Sequence, residues 1–324
     1  MDHIIVPIAE FQLDLAQLTY TGEDLVRPES VLAQPDGTLW ASDGRGGITR
    51  INPDGTQNFL DGLGGEPNGL AMLADGSLLV ANIAGSAVQR MYPDGRTENF
   101  LTQVDGLKLT TPNFVFRDSQ ERIWIAVSTR EEIWWPAAAQ PRPDGFIVLV
   151  DERGARIVAD GISFTNEIRL DAREEYLYVA ETMARHVLRF RVQPDGSLSN
   201  KEIFGPSSLG TAAFVDGFTI DAAGNIWVTT VLRNGVGIIT PSGDYHVVFE
   251  DARTEQLESF EAKLVAGEAQ PLDMLMAAGT TLQLLTSITF GGPDLRTVYV
   301  GSLGMNRLPT FRSPVPGLPM SHWK

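Results

Sequence analysis

The chain has 324 residues, 43% of them apolar, with a formal net charge of −16 and no cysteine. That charge repels a phosphate backbone, so nucleic acid is a poor partner, and without cysteines there can be no disulfide, thiolate-held zinc, iron–sulfur cluster or cysteine nucleophile. No run approaches the roughly 18 apolar residues of a membrane helix, and the opening MDHIIVPIAEFQLDL lacks the basic and apolar regions of a secretory signal, so a cytoplasmic protein is expected.

In chain order, a unit recurs six times. Its first copy, ESVLAQPDGTLWASDGRGGITRINPDGTQNFL, runs from Glu29 to Leu60, and its second from Asn68 to Leu101. The third opens at Asn113 with NFVFRDSQERIWIAVS, is interrupted by residues 129–143, and resumes at DGFIVLV. The fourth spans Asn166 to Phe204 and the fifth Asp216 to Phe249. Residues 252–285 then break the pattern, with FEAKLVAG and PLDMLMAAG reading as two short helices stopped by glycine. The sixth copy starts at Ser287 with SITFGGPDLRTVYVGS and trails into RLPTF, one strand short.

Each copy offers about four strands of period-2 alternation separated by Asp-Gly or Gly-Gly turns. Four strands at a spacing of roughly 40 to 50 residues predict propeller blades. The expectation is an all-β protein, one six-bladed β-propeller domain over residues 1–324, with four-stranded blades and a small helical insert near 252–285 acting as a lid or loop. Residues near Leu13 to Tyr20 are expected to supply the missing strand and close the ring, removing open sheet edges. GRGG at Gly44–Gly47 reads as a hairpin turn, since no helix follows it. Trp134 and Trp135, in the interruption of the third copy, either line the mouth of a site or pack the loop onto a blade.

The residues that open the innermost strands are Glu29, Asn68, Asn113, Asn166, Asp216 and Ser287. In a propeller these positions form one ring around the axis. All six carry oxygen, a donor set that suits a hard cation such as calcium, magnesium or manganese. Two facing carboxylates repel unless protonated or bridged by a cation. His3, His186, His246 and His322 fall outside the ring, which argues against a histidine triad for zinc.

At TPNFVFRDSQERIWIA, DGISFTNEIRLDAREEYLYVAET, FVDGFTIDAAGNIWVT and SITFGGPDLRTVYVGS the sequence resembles the family of senescence marker protein (regucalcin), gluconolactonase and luciferin-regenerating enzyme, over about Glu23 to Phe311. The resemblance implies a six-bladed propeller with one divalent metal in its channel: calcium first, with zinc, manganese or magnesium as alternatives. Carried across, the metal ligands are Glu29, Asn166 and Asp216, with Asn113 on the metal or the substrate and Asp216 also the general base. Substrate contacts fall on Asn68, Asn113, Thr111 and Glu131. Sugar-lactone hydrolases of the family can carry an arginine where Thr111 stands, so an aldonolactone substrate is in question. The expected activity is metal-dependent hydrolysis of a small lactone. Other metal-dependent ester, phosphotriester or epoxide hydrolysis, and a non-catalytic calcium-binding propeller, stay open. No G-x-S-x-G elbow argues for a serine hydrolase.

Overall fold

The structure is a computed structural model, and it describes residues 7–323. Six four-stranded antiparallel sheets form the blades of a propeller. Their first strands are Val31–Ala33, Pro67–Met72, Pro112–Arg117, Thr165–Leu170, Val215–Ile220 and Leu285–Gly291. These six pack against one another around the axis, so they are the innermost. The other strands follow outward as a meander, which is why one sequence unit makes one blade.

Local chemistry sets the turns. In Pro35-Asp36-Gly37 the Asp36 carboxylate accepts from Thr38 N at 2.9 Å, and Gly37 takes φ +90°, a left-handed conformation that costs glycine little. A larger version recurs in the third and fifth blades. Asp118 accepts from Gln120 N, Arg122 N and Trp124 Nε1, and Asp221 accepts from Ala223 N, Asn225 N and Trp227 Nε1. Each buried tryptophan thereby gains a partner for its one N–H while its rings fill the space between sheets.

The ring closes through Thr19–Thr21, which pairs antiparallel with Leu308–Arg312 in the register Thr19↔Thr310 and Thr21↔Leu308. The closing strand is shorter than the expected stretch. Leu13 N instead donates to Val248 O at 3.0 Å, in the fifth blade, so the segment before the strand bridges two blades. The Pro-rich C-terminal segment, compositionally the best candidate for disorder, is tied down. Leu318 N donates to Ile220 O, Ser321 Oγ to Arg117 O, and Trp323 Nε1 to Ala33 O. Those acceptors end innermost strands of blades 5, 3 and 1, so the segment crosses the channel mouth opposite the one where the strands begin.

Helix α1 (Trp135–Ala139) lies in the interruption of the third blade. The 252–285 insert forms α2 (Thr254–Ala266) and α3 (Pro271–Met276). The first ends at Gly267 in the left-handed conformation, as the glycine implies. The second ends at Ala277, before Gly279. None of the described helices is long and apolar enough to cross a membrane.

Candidate functional site

One cavity occupies the channel mouth where the innermost strands begin, measuring about 710 Å³ with its open mouth included. Five of the six ring positions, Glu29, Asn68, Asn113, Asn166 and Asp216, line it together. The sixth, Ser287, is buried at the equivalent place but does not reach the cavity, and its hydroxyl has no hydrogen-bond partner.

The backbone explains how these side chains come to face inward. The pairing of first and second strands shifts register at the ring residue in five blades: between Pro67 and Leu70, Pro112 and Phe114, Thr165 and Ile168, Val215 and Phe218, and Leu285 and Ile288. Such bulges re-aim a side chain out of the sheet's regular alternation. Two ring residues are followed by glycine for a second reason. A Cβ on Gly69 would lie 2.6 Å from Phe114 Cα, and one on Gly217 2.5 Å from Glu167 Oε2. Neighbouring innermost strands therefore approach closely enough only because these side chains are missing.

The charged groups are in conflict without a counter-ion. Glu29 is only 6% exposed. Burial, then the charge of Asp216, hold its carboxyl well above the usual range, while Arg27 works in the opposite direction. Burial pushes Asp216 up to about 7, against the lowering pull of Arg27 and the Asn166 amide. Beneath them Glu167 is also pushed up to about 7 by burial, opposed by its ion pair with Arg169.

Arg27, which the sequence reading missed, lines the cavity with its backbone at φ 47°. A non-glycine residue in this region is strained and frequent at functional sites. Its guanidinium donates to Pro67 O at 3.3 Å and to Asn68 Oδ1 at 3.1 Å. Arginine can only donate, so Asn68 must turn its amide nitrogen to Asn113, where it reaches Oδ1 and the backbone oxygen at 3.1 Å each. Asn113 is left with its own NH2 for whatever enters the cavity.

Two expected substrate contacts lie elsewhere. Thr111 is fully buried and exchanges hydrogen bonds with Thr129, accepting from its N at 3.0 Å and donating to its O at 2.9 Å. Glu131 pairs with Arg142 at 2.5 Å and is not among the residues that line the cavity. The interruption that carries Glu131 does reach the cavity, through Trp134, Trp135 and Ala138. Both tryptophans thus line the site and pack α1 at once. Among the histidines, His186 pairs with Glu181 at 2.7 Å, His246 sits in an outer strand, and His322 bonds Ala33 O on the far side of the channel. His3 falls outside the described residues.

Among the described residues no three Asp, Glu, His or Cys side chains converge as a metal cluster. The oxygens able to hold a cation are the two carboxylates of Glu29 and Asp216 and the amide of Asn166. A set of hard oxygens around an uncompensated pair of buried carboxylates fits a divalent cation of the calcium or magnesium type.

The family profile of the SMP-30/Gluconolactonase/LRE-like region matches residues 25–250. The chain belongs to this family. Within it, a pentonolactonase of Haloferax volcanii is 29% identical over 148 residues, 45% of this chain and 40% of its own length. The 6-deoxy-6-sulfogluconolactonase of Pseudomonas putida is 22% identical over 191 residues, 59% of this chain and 53% of its own length. The chain spans about half the length of the curated relatives it matches. A calcium-binding protein, regucalcin, from Agrobacterium tumefaciens superimposes with a TM-score of 0.69 at 16% identity, covering 94% of this chain and 98% of that one. The superposition shows a shared fold.

Proposed function

We propose that this member of the SMP-30/gluconolactonase family is a metal-dependent hydrolase that opens a small lactone, with one divalent cation, calcium first among the candidates, held by Glu29, Asn166 and Asp216. The observation that carries the reading is the buried pair Glu29 and Asp216 on the floor of a one-ended cavity, with only the cation of Arg27 beside them. Two lactonases among the relatives and a calcium-binding protein of the same fold support it.

A bound cation supplies Lewis-acid polarisation of the ester carbonyl and charge balance for the two carboxylates. Asp216 is the general base, placed to take a proton from the attacking water. Water adds to the carbonyl carbon, the ring carbon–oxygen bond breaks, and the products are a carboxylate and a hydroxyl on one chain. Asn113, its oxygen engaged by Asn68, offers its NH2 to the oxygen on which negative charge develops. Arg27 adds the positive charge that makes the occupied site complementary to an anion. Arg27 and Asn68 act by holding Asn113 in register.

The test is elemental analysis of the purified protein together with a pH-indicator assay over a lactone panel, for the native chain and for Glu29→Ala/Asp216→Ala. One equivalent of metal and metal-dependent ring opening, both lost in the double variant, are expected. Stoichiometric metal without turnover on any lactone would instead make the protein a calcium-binding propeller.

A further inference from the structure

The cavity has two chemically separate zones. Its polar side chains belong to the floor, apart from the indole N–H groups of Trp134 and Trp135 and Thr182, whose hydroxyl already donates to Val215 O at 2.7 Å. Twelve of its nineteen lining residues are apolar, and they make the walls. α1 contributes Trp135 and Ala138, the 252–285 insert contributes Phe260 and Met274, the loops between blades add Phe164 and Phe214, and the turn between the second and third strands of blade 5 adds Leu232.

These walls are built rather than incidental. Trp134 meets Trp135 edge-on with ring centroids 5.4 Å apart and Phe164 at 6.2 Å, and Phe214 meets Phe260 edge-on at 6.0 Å. Phe164 holds φ 67°, a conformation that a bulky residue avoids unless its surroundings impose it. α2 is fastened over the cavity by Glu261, which pairs with Arg185 at 2.8 Å and accepts from Ala212 N at 2.6 Å. Arg185 in turn stacks 4.5 Å from the Phe214 ring centre.

We infer that the substrate of this site is a hydrophobic lactone or cyclic ester, carrying a fused aryl ring or a medium-length alkyl chain, and not a polyhydroxylated sugar lactone. The inference rests on the hydrolase reading for its ester group and on the walls for the rest. With the carbonyl at the floor, the remainder of the substrate lies against hydrocarbon. Each hydroxyl buried there without a partner weakens binding by about tenfold or more, whereas each buried methylene strengthens it by about fourfold. A sugar lactone presents several hydroxyls to walls with almost nothing to receive them.

Turnover and binding are measured separately on the full chain loaded with calcium or manganese. Turnover compares dihydrocoumarin and δ-decalactone with glucono-δ-lactone. Binding compares chroman, which has the ring system without the ester carbonyl, with 1,5-anhydroglucitol, by calorimetry and by the tryptophan fluorescence to which Trp134 and Trp135 contribute. The expected result is kcat/KM at least about 100-fold higher for the apolar lactones and chroman binding at least about tenfold tighter than the sugar analogue. Leu232→Asn or Trp135→Ser, whichever keeps the native circular dichroism, should weaken chroman about tenfold while leaving metal content unchanged. Chroman binding with no turnover of any lactone would uphold the apolar pocket and defeat the hydrolase reading. Preferred turnover of glucono-δ-lactone, or tighter binding of anhydroglucitol, would overturn the inference and leave the hydrolase reading standing. Failure of chroman to bind at all would also overturn it.

Discussion

The floor and the walls of one cavity are made by opposite rules. The floor comes from the starts of the innermost strands, takes one oxygen-bearing side chain from each of five blades, and adds the guanidinium of Arg27. The walls come from α1, from the 252–285 insert, from Phe164 and Phe214 between blades, and from the loops after the second strands of blades 2, 4, 5 and 6, and they are mostly hydrocarbon. The floor trades stability for charge: Glu29 and Asp216 are buried together at a cost that a cation relieves. The walls gain from burial. Leu257 and Phe260 of α2 pack with Phe214, Leu232 and Leu284, so the insert has its own small core against the propeller. On the proposed function, chemistry falls to the shared scaffold and substrate choice to the walls, a division that mutations can break.

The largest effect belongs to the floor. Asp216→Asn is expected to lower kcat by about 10³-fold while raising the melting temperature of the metal-free protein, because one member of a repelling buried pair is gone. Loss of activity accompanied by lower metal-free stability would mean that Asp216 serves the fold instead.

Removing the metal tests the same conflict through pH. Both Glu29 and Asp216 have folded-state pKa values raised above their unfolded values. Their favourable contribution in the metal-free protein is therefore fully present below the unfolded carboxyl range near about 4 and is lost as pH rises through the raised folded values, about 7 for Asp216. Chelation should cost more stability at pH 8 than at pH 5, and calcium at about 100 times its Kd should return about 2.7 kcal/mol at the higher pH. Calorimetric melts at the two pH values, with and without chelator, check it. Equal calcium shifts at both would contradict the paired-carboxylate floor.

A change in the walls should leave the floor alone. Phe260→Ala, which empties part of the core beneath α2, is expected to destabilise by about 3 to 5 kcal/mol and to raise KM for an apolar substrate more than it lowers kcat, with metal stoichiometry unchanged. Metal loss in this variant would show that floor and walls are not separable.

The smallest effect is expected at Glu131, whose side chain is 44% exposed and paired with Arg142 outside the cavity. Glu131→Gln should alter kcat/KM by less than about twofold and stability by less than about 1 kcal/mol. A loss beyond tenfold would restore it to the substrate site.

The architecture was legible because a propeller blade is local. Its four strands are consecutive, its turns need Asp-Gly at fixed places, and the repeat of those signals counts the blades; aligning the repeats also located Glu29, Asn68, Asn113, Asn166 and Asp216, since equivalent positions in a closed ring must face one axis. What the repeat could not decide was everything that departs from it. Arg27 precedes the first innermost strand and has no counterpart in the other copies, so alignment passed over it, although its guanidinium orders Asn68 and Asn113. Glu167 and Arg169 carried a faint signal, two charges at period 2 in a strand buried on both faces, but their pairing beneath Asp216 appears only in the fold. Thr111 and Glu131 lie close in sequence to cavity-lining residues but do not line the cavity themselves: the Thr111 hydroxyl bonds the Thr129 backbone and the Glu131 carboxylate pairs with Arg142. The apolar walls were legible only in part: Ile83, Val231 and Leu303 each directly follow the second strand of a blade, but no spacing in the chain joins them to α1, α2, Phe164 and Phe214, which closure of the ring brings over the same floor.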